Sequence, residues 1–215
     1  DHRDLHLSLR RQRQMCIRDS KEGGLAVQRQ IMGDSEYIHL DLGSFTSIGT
    51  FVESVKSKYS KVDVLVNNAG VMWPPLTKTT EGLELTFGTN YVGYFVLTNK
   101  IMPLLREVNG SRVVNMSSIA QYRVRNIDWD NINSEKHYSK TRSYNESNLF
   151  RIMFTMDLED KLRQKDYKTI AVACHPGITI TNLMRFAPKF LGTSVFRRFC
   201  LLYTSPSPRD LSTSR

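Results

Sequence analysis

Long apolar runs are missing from this sequence. None approaches the roughly 18 residues that a membrane-spanning helix needs, so no candidate span is read. The first residues also lack the apolar stretch of a secretory signal. Cysteine is scarce. Cys16, Cys174 and Cys200 are the only three, without metal-ligand spacing, and they read as reduced thiols. Internal repeats are absent, which excludes a solenoid or propeller. What is present is globular composition: 215 residues, 40% hydrophobic, 24% charged, 12 glycines. That length suits one domain or a large part of one. The formal charge of +9 points, on its face, to nucleic acid or an acidic membrane.

The two ends account for part of that charge. "MCIRDS" (15–20) can be coded ATG TGT ATA AGA GAC AG. The reverse complement, read one base out of step, translates as Cys200-Leu201-Leu202-Tyr203-Thr204 and begins Ser205. Both flanks can therefore be encoded by an inward-facing inverted repeat, which resembles the mosaic ends of a transposase-made sequencing library. "DHRDLH", "RRQRQ" and "CLLYTSPSPRD" are also codable as adapter DNA. The expectation is a non-native flank at 1–20, a biological insert at 21–199 and a second non-native flank at 200–215. The flanks carry five arginines against three aspartates and two against one, so without them +9 becomes +6. The "RRQRQ" patch goes with them. The lysines that remain are spread over helix surfaces rather than interleaved with aromatics, and no nucleic-acid partner is expected.

Strand and helix signals alternate through the insert. "EYIHLDL" is a short β-type run. After it, Ile48, Phe51, Val52 and Val55 share one helix face, with Ser44 or Ser47 as cap. "KVDVLVNNAG" reads as a strand buried on both faces of a parallel sheet. A long helix lies within 81–108, disturbed near Pro103. "SRVVNMSS" is a strand. Residues 144–163 form a helix with Leu149, Ile152, Met153 and Met156 on one side, and "YKTIAVACHPG" is another strand. The alternation predicts an α/β domain with a mainly parallel sheet. In such sheets ligands bind at the carboxyl ends of the strands. Asp41, "NNAG" (67–70), Ser117-Ser118 and "HPG" (175–177) fall there. Any one of them could simply close a turn or cap a helix. Four in succession point to a site.

These pieces resemble the short-chain dehydrogenase/reductase superfamily, most closely its retinol-dehydrogenase-like branch. The resemblance rests on "LDL" (40–42), "NNAGVM" (67–72), "TNYVGYFVLT" (89–98), "RVVNMSS" (112–118), "SYNESN" (143–148) and "HPGITITNL" (175–183), in family order and spacing. It implies a Rossmann-type doubly wound sheet, incomplete here, and hydride transfer between a nicotinamide cofactor and an alcohol or carbonyl. NADP is favoured over NAD by family analogy. Tyr144 would exchange the proton, Ser118 would hold the substrate oxygen, and Asn90 would interrupt the long helix and hold a relay water. Asp41 and Leu42 would lie at the adenine, with Asn67, Ala69 and Gly70 along the adenosine. Pro176, Gly177, Ile178 and Thr181 would meet the nicotinamide. Retinoid-like or other lipophilic substrates, a homodimer, and a cytoplasmic or endoplasmic-reticulum location with or without a membrane anchor are further implications.

Two departures stand out. The family motif is Tyr-x-x-x-Lys, whose cation favours the phenolate and lowers a tyrosine pKa from its usual value of about 10. Here Asn148 holds the Lys position. It can bond a ribose but brings no charge. Lys140 is read as preceding the helix and so as no substitute. Either a third-base change produced Asn148, in which case lysine there should raise turnover, or the protein is a catalytically silent binding or scaffold homologue. The second departure is the absence of the family's glycine-rich Thr-Gly-x-x-x-Gly-x-Gly turn with its first βαβ unit, and of its C-terminal strand. That turn would set backbone donors and a helix N-terminus against the pyrophosphate. The chain as written is therefore expected to bind neither cofactor well and to be inactive.

Overall fold

A computed structural model describes Leu25, Gln28, Arg29 and residues 34–177. Both flanks, Ile178 and Thr181 lie outside the described residues.

Three strands form one parallel sheet: β1 (Val64–Asn67), β2 (Arg112–Met116) and β3 (Ile170–Cys174), ordered β1-β2-β3. Val64 pairs with Arg112 and Asn67 with Asn115; Arg112 pairs with Ile170 and Met116 with Cys174. All three were legible as apolar runs, but the expectation of burial on both faces is corrected. One face, with Asn67, Val113, Asn115 and Ala171, is buried beneath helices. On the other, Val66, Val114 and Val172 stand in one row across the sheet, with Val66 54% and Val172 37% exposed. Alternate residues of a strand point to opposite faces, and the described helices cover one face only. "EYIHLDL" is corrected too. It does not join the sheet, and Leu42 already belongs to a turn. A β-type sequence makes a strand only where a neighbouring backbone accepts it, and this segment instead sets Leu40 and Leu42 into the helical layer.

Helix α1 (Phe45–Lys58) begins where Ser44 Oγ accepts the Ser47 amide at 3.2 Å. Its Ile48, Phe51, Val52 and Val55 are all buried, as the period required. The long helical segment is built in pieces. Glu84, fully buried, accepts the amides of Thr86 and Phe87 and starts α2 (Leu85–Phe87). A π-helical turn, Gly88–Val92, follows and contains Asn90. Then comes α3 (Gly93–Ile101), ended by a 3-10 turn at Met102–Leu104 that carries Pro103.

Helix α4 (Lys140–Gln164) starts four residues earlier than the sequence suggested, because Ser139 caps it by accepting the Arg142 amide. Lys140 is thus its first residue, not part of a preceding segment. The buried face also differs. Phe150, Phe154, Leu158 and Leu162 enter the core at intervals of four, whereas Met153 and Met156 are 42% and 64% exposed. The buried face also carries polar residues: Ser147 meets Asn90, Arg151 meets Met116 and Thr155 meets Asn115, while the Asn148 amide bonds within the helix. Polar groups with buried partners decide the rotation of this helix, and the methionines face outward as a result.

The segment at 37–42 reaches α3 through Gly93. A Cβ at that glycine would lie 2.4 Å from the Leu42 carbonyl oxygen and 2.9 Å from the Leu42 Cβ. Gly93→Ala should therefore push the Asp41–Leu42 backbone off the helix, at a cost of about 1–3 kcal/mol as for other overpacked sites. Gly49, in α1, would meet nothing within 4 Å. Gly49→Ala should stabilise by up to about 1 kcal/mol through helix propensity. Thermal melting of the pair should move in opposite directions; a matched shift would show that the close approach at Gly93 is not a constraint.

Candidate active site

The site grows from the strand ends. Asn67, the last residue of β1, is 2% exposed. Its Nδ2 donates to Thr98 Oγ1 at 3.0 Å and to Asn115 Oδ1 at 2.8 Å. Asn115 Nδ2 continues to Thr155 Oγ1 at 2.9 Å, and Thr155 donates to the Arg151 carbonyl at 2.7 Å. This ladder bolts β1 and β2 to α3 and α4 inside the core. The Asn67 amide nitrogen is therefore committed to the core.

Asn90 pins the loop after β1. Its Oδ1 accepts the Val71 amide at 2.8 Å, and its Nδ2 donates to the Val71 carbonyl at 2.9 Å and to Ser147 Oγ at 3.2 Å. The Asn90 backbone carbonyl accepts Arg151 Nε at 2.5 Å. Ala69, in the same loop, accepts the Tyr94 hydroxyl. Gly70 is closely approached: a Cβ there would lie 3.0 Å from both Arg151 Nη2 and Asn90 Oδ1.

The two serines divide the work at the end of β2. Ser117 donates to the Asn148 carbonyl at 3.0 Å and binds the β3 end through its own amide. Ser118 caps the 3-10 turn Ile119–Arg123 by accepting the Ala120 amide at 3.2 Å, which leaves its hydroxyl proton to donate. That turn packs against α4, where Tyr144 is 8% exposed. Among the described residues the Tyr144 hydroxyl has no hydrogen-bond partner. Tyr138 is a poor rival. Burial, then the Glu84 charge, push its phenol up to about 12, and its hydroxyl is already given to the Pro74 carbonyl at 2.7 Å.

Asn148 is engaged within its own helix. It is fully buried; Nδ2 donates to the Tyr144 carbonyl at 2.8 Å and Oδ1 accepts from Arg151 Nη1 at 3.4 Å. Both ends of the amide are thus taken up inside the helix. At the adenine end, Asp41 turns one carboxylate oxygen to the Gly43 amide at 2.8 Å, and Leu42 is 3% exposed. After β3, Pro176 leads to Gly177, whose φ of 72° suits a residue without a side chain. A cleft of about 370 Å³ opens beyond the ends of β2 and β3, walled by Ser117, Gln121, Tyr122, Ile152, Cys174 and His175. No cluster that could hold a metal ion, and no helix long and apolar enough to cross a membrane, occurs among the described residues.

Arg151 is the residue that sequence reasoning missed. Its guanidinium touches the Ala69 carbonyl (3.4 Å), the Asn90 carbonyl, the Met116 carbonyl (2.7 Å) and Asn148. One side chain thus joins the loop after β1, the π-helical turn, the end of β2 and α4. Gly70→Ala should press on this junction and lower thermal stability by about 1–3 kcal/mol. A melting temperature equal to the parent's would mean that Arg151 and Asn90 yield freely.

The model of the family described as short chain dehydrogenase matches residues 12–190. Retinol dehydrogenase 14 of Mus musculus is 41% identical over 146 residues, 68% of this chain and 43% of that protein. Polyprenol dehydrogenase of Homo sapiens is 35% identical over 183 residues, 80% of this chain and 55% of its own length. The chain thus spans about half of these curated relatives. Among solved structures, an uncharacterised protein from Mycobacterium paratuberculosis superposes with a TM-score of 0.67 at 34% identity, covering 89% of this chain and 66% of that one. The RhlG/NADP complex of Pseudomonas aeruginosa superposes at 0.62 with 22% identity, covering 79% of this chain and 64% of that one, a likeness of fold. With its parallel sheet, its Asn-Asn-Ala-Gly strand end and its Ser and Tyr on neighbouring elements, this chain belongs to the short-chain dehydrogenase family.

Proposed function

We propose that the protein carrying this chain transfers hydride between NADP or NAD and an alcohol or carbonyl substrate. The observation that carries this is Tyr144: a largely buried tyrosine, its hydroxyl unpartnered among the described residues, on the helix that Arg151 ties to the ends of β1 and β2. A phenol so placed is held for something that is not protein. Ser118, with a proton to donate beside the same helix, supplies the second hydrogen bond to a substrate oxygen. A nicotinamide cofactor would supply or accept the hydride at carbon. Tyr144 would give the proton to the substrate oxygen in reduction and take it in oxidation. The backbone of 67–70, with Asp41, would line the adenosine, and Pro176–Gly177 would approach the nicotinamide. Asn148 would serve by position within the helix rather than by touching the ribose. The names of the relatives, retinol and polyprenol dehydrogenase, favour a lipophilic alcohol or its aldehyde as substrate.

A second reading has its own support. Asn148 brings no charge and is wholly enclosed, as suits a homologue that binds without turning over. The full-length protein, assayed with retinol- and polyprenol-type alcohols and aldehydes and both cofactors, separates the two. The oxidoreductase reading expects turnover, a loss of roughly 10²–10⁴-fold in kcat for Tyr144→Phe, and cofactor affinity kept in that variant by nucleotide fluorescence. Cofactor binding without turnover on any substrate would establish the silent homologue instead.

A further inference from the structure

We propose that Arg151 carries the fixed positive charge of this site, in place of a lysine at 148, and that Asn148 and Arg151 act as one unit. The inference rests on the oxidoreductase reading and deepens it. Tyr144, Asn148 and Arg151 are spaced i, i+4, i+7 and share one face of α4. Arg151 is 5% exposed, and a guanidinium stays charged at any working pH. A buried cation normally sits on a carboxylate. This one does not: among the described residues no Asp or Glu pairs with it. Its donors go to neutral oxygens, the carbonyls of Asn90, Met116 and Ala69 and the Asn148 amide. Its Cζ lies 4.7 Å from the centre of the Tyr94 ring, whose face accepts a cation without cancelling its charge. The positive charge is therefore solvated by dipoles but left unneutralised, behind the helix turn that presents Tyr144.

Asn148 is the residue this arrangement needs. Its Oδ1 faces the guanidinium as one more acceptor, and its Nδ2 holds the Tyr144 carbonyl. A lysine at 148 would bring a second cation into the same enclosed turn, against Arg151, with no carboxylate to separate them. Lysine at 148 and arginine at 151 are thus mutually exclusive ways of charging one site. Arg151 acts through Asn148 and through the backbone of Asn90, which makes it a positioning residue that also supplies a field. Because a guanidinium does not release its proton, it cannot pass one along. The proton exchanged by Tyr144 must leave by another route than the residue-148 side chain.

The test is a cycle in the full-length protein: parent, Asn148→Lys, Arg151→Gln and the double variant, each measured for kcat and KM with both cofactors and for thermal melting. Each single change should lower kcat by roughly 10²-fold or more, one by crowding two cations and the other by removing the charge. The double variant, which has one cation again, should return to within about tenfold of the parent. That recovery is a sign reversal that independent sites cannot produce. If Arg151 only supports the fold, Arg151→Gln lowers melting and turnover together and the double variant shows the product of the two single effects, which overturns the proposal. A gain in kcat from Asn148→Lys alone overturns it as well. If no form turns over, the oxidoreductase reading falls, and the melting data decide the pair: recovery in the double variant upholds the unit, additivity refutes it.

Discussion

A buried guanidinium must have acceptors, and the rest of this site is arranged around that need. Arg151 cannot shed its charge, and enclosure removes its water. Four of its polar hydrogens are met by oxygens at fixed directions. The oxygens come from the loop after β1, the π-helical turn, the end of β2 and the preceding turn of α4. Each is a backbone carbonyl or amide already held by its own element. Satisfying the guanidinium therefore sets the axial position of α4 against the strand ends, and with it the depth of Tyr144. The π-helical turn belongs to the same constraint. By widening at Gly88–Val92 it turns the Asn90 carbonyl toward α4 rather than along its own axis.

Behind this junction runs the ladder Thr98, Asn67, Asn115, Thr155. It crosses the sheet from α3 to α4 and ends on the carbonyl of Arg151 itself. Apolar contacts would tolerate a slip of one helix past the strands. A buried network of paired amides and hydroxyls does not, since each slip leaves orphan groups in a low dielectric. The aromatic row supports the same setting beside this network: Phe150 packs on Tyr91 and Phe87, and Phe154 on Phe95. Specificity of register here is polar, and bulk stabilisation is aromatic and aliphatic.

Much of this was open to a reader of residues alone. Helix α1 was legible because Ser44 and the apolar period agree. The three strands were legible as runs of Val, Leu and Ala closed by polar turns, and Pro103 marked the end of α3 because it lacks an amide. Other features depend on what lies across from them. "EYIHLDL" has strand composition, but pairing is decided by a neighbour that no local pattern names. The face of α4 went wrong because Met153 and Met156 looked like core, while Arg151 and Thr155 carried no local signal of burial. Their partners, Asn90, Met116 and Asn115, lie 35 to 61 residues away in the chain. The one local hint was spacing: Arg151 stands seven residues after Tyr144 and three after Asn148. Asn148 itself was read as a vacancy where a cation belonged. The structure places the cation one turn further along, which makes the substitution intelligible as half of a pair.

The central claim is that this cation stays within the site as a fixture of it. A crystal structure of the full-length protein with NADP or NAD bound tests that most directly. The account predicts Arg151 still enclosed, its guanidinium on the carbonyls of Asn90 and Met116 and on Asn148 Oδ1, with the Tyr144 hydroxyl facing the nicotinamide. An Arg151 swung out to solvent or onto a cofactor phosphate, with Asn148 freed to bond the ribose, would contradict it.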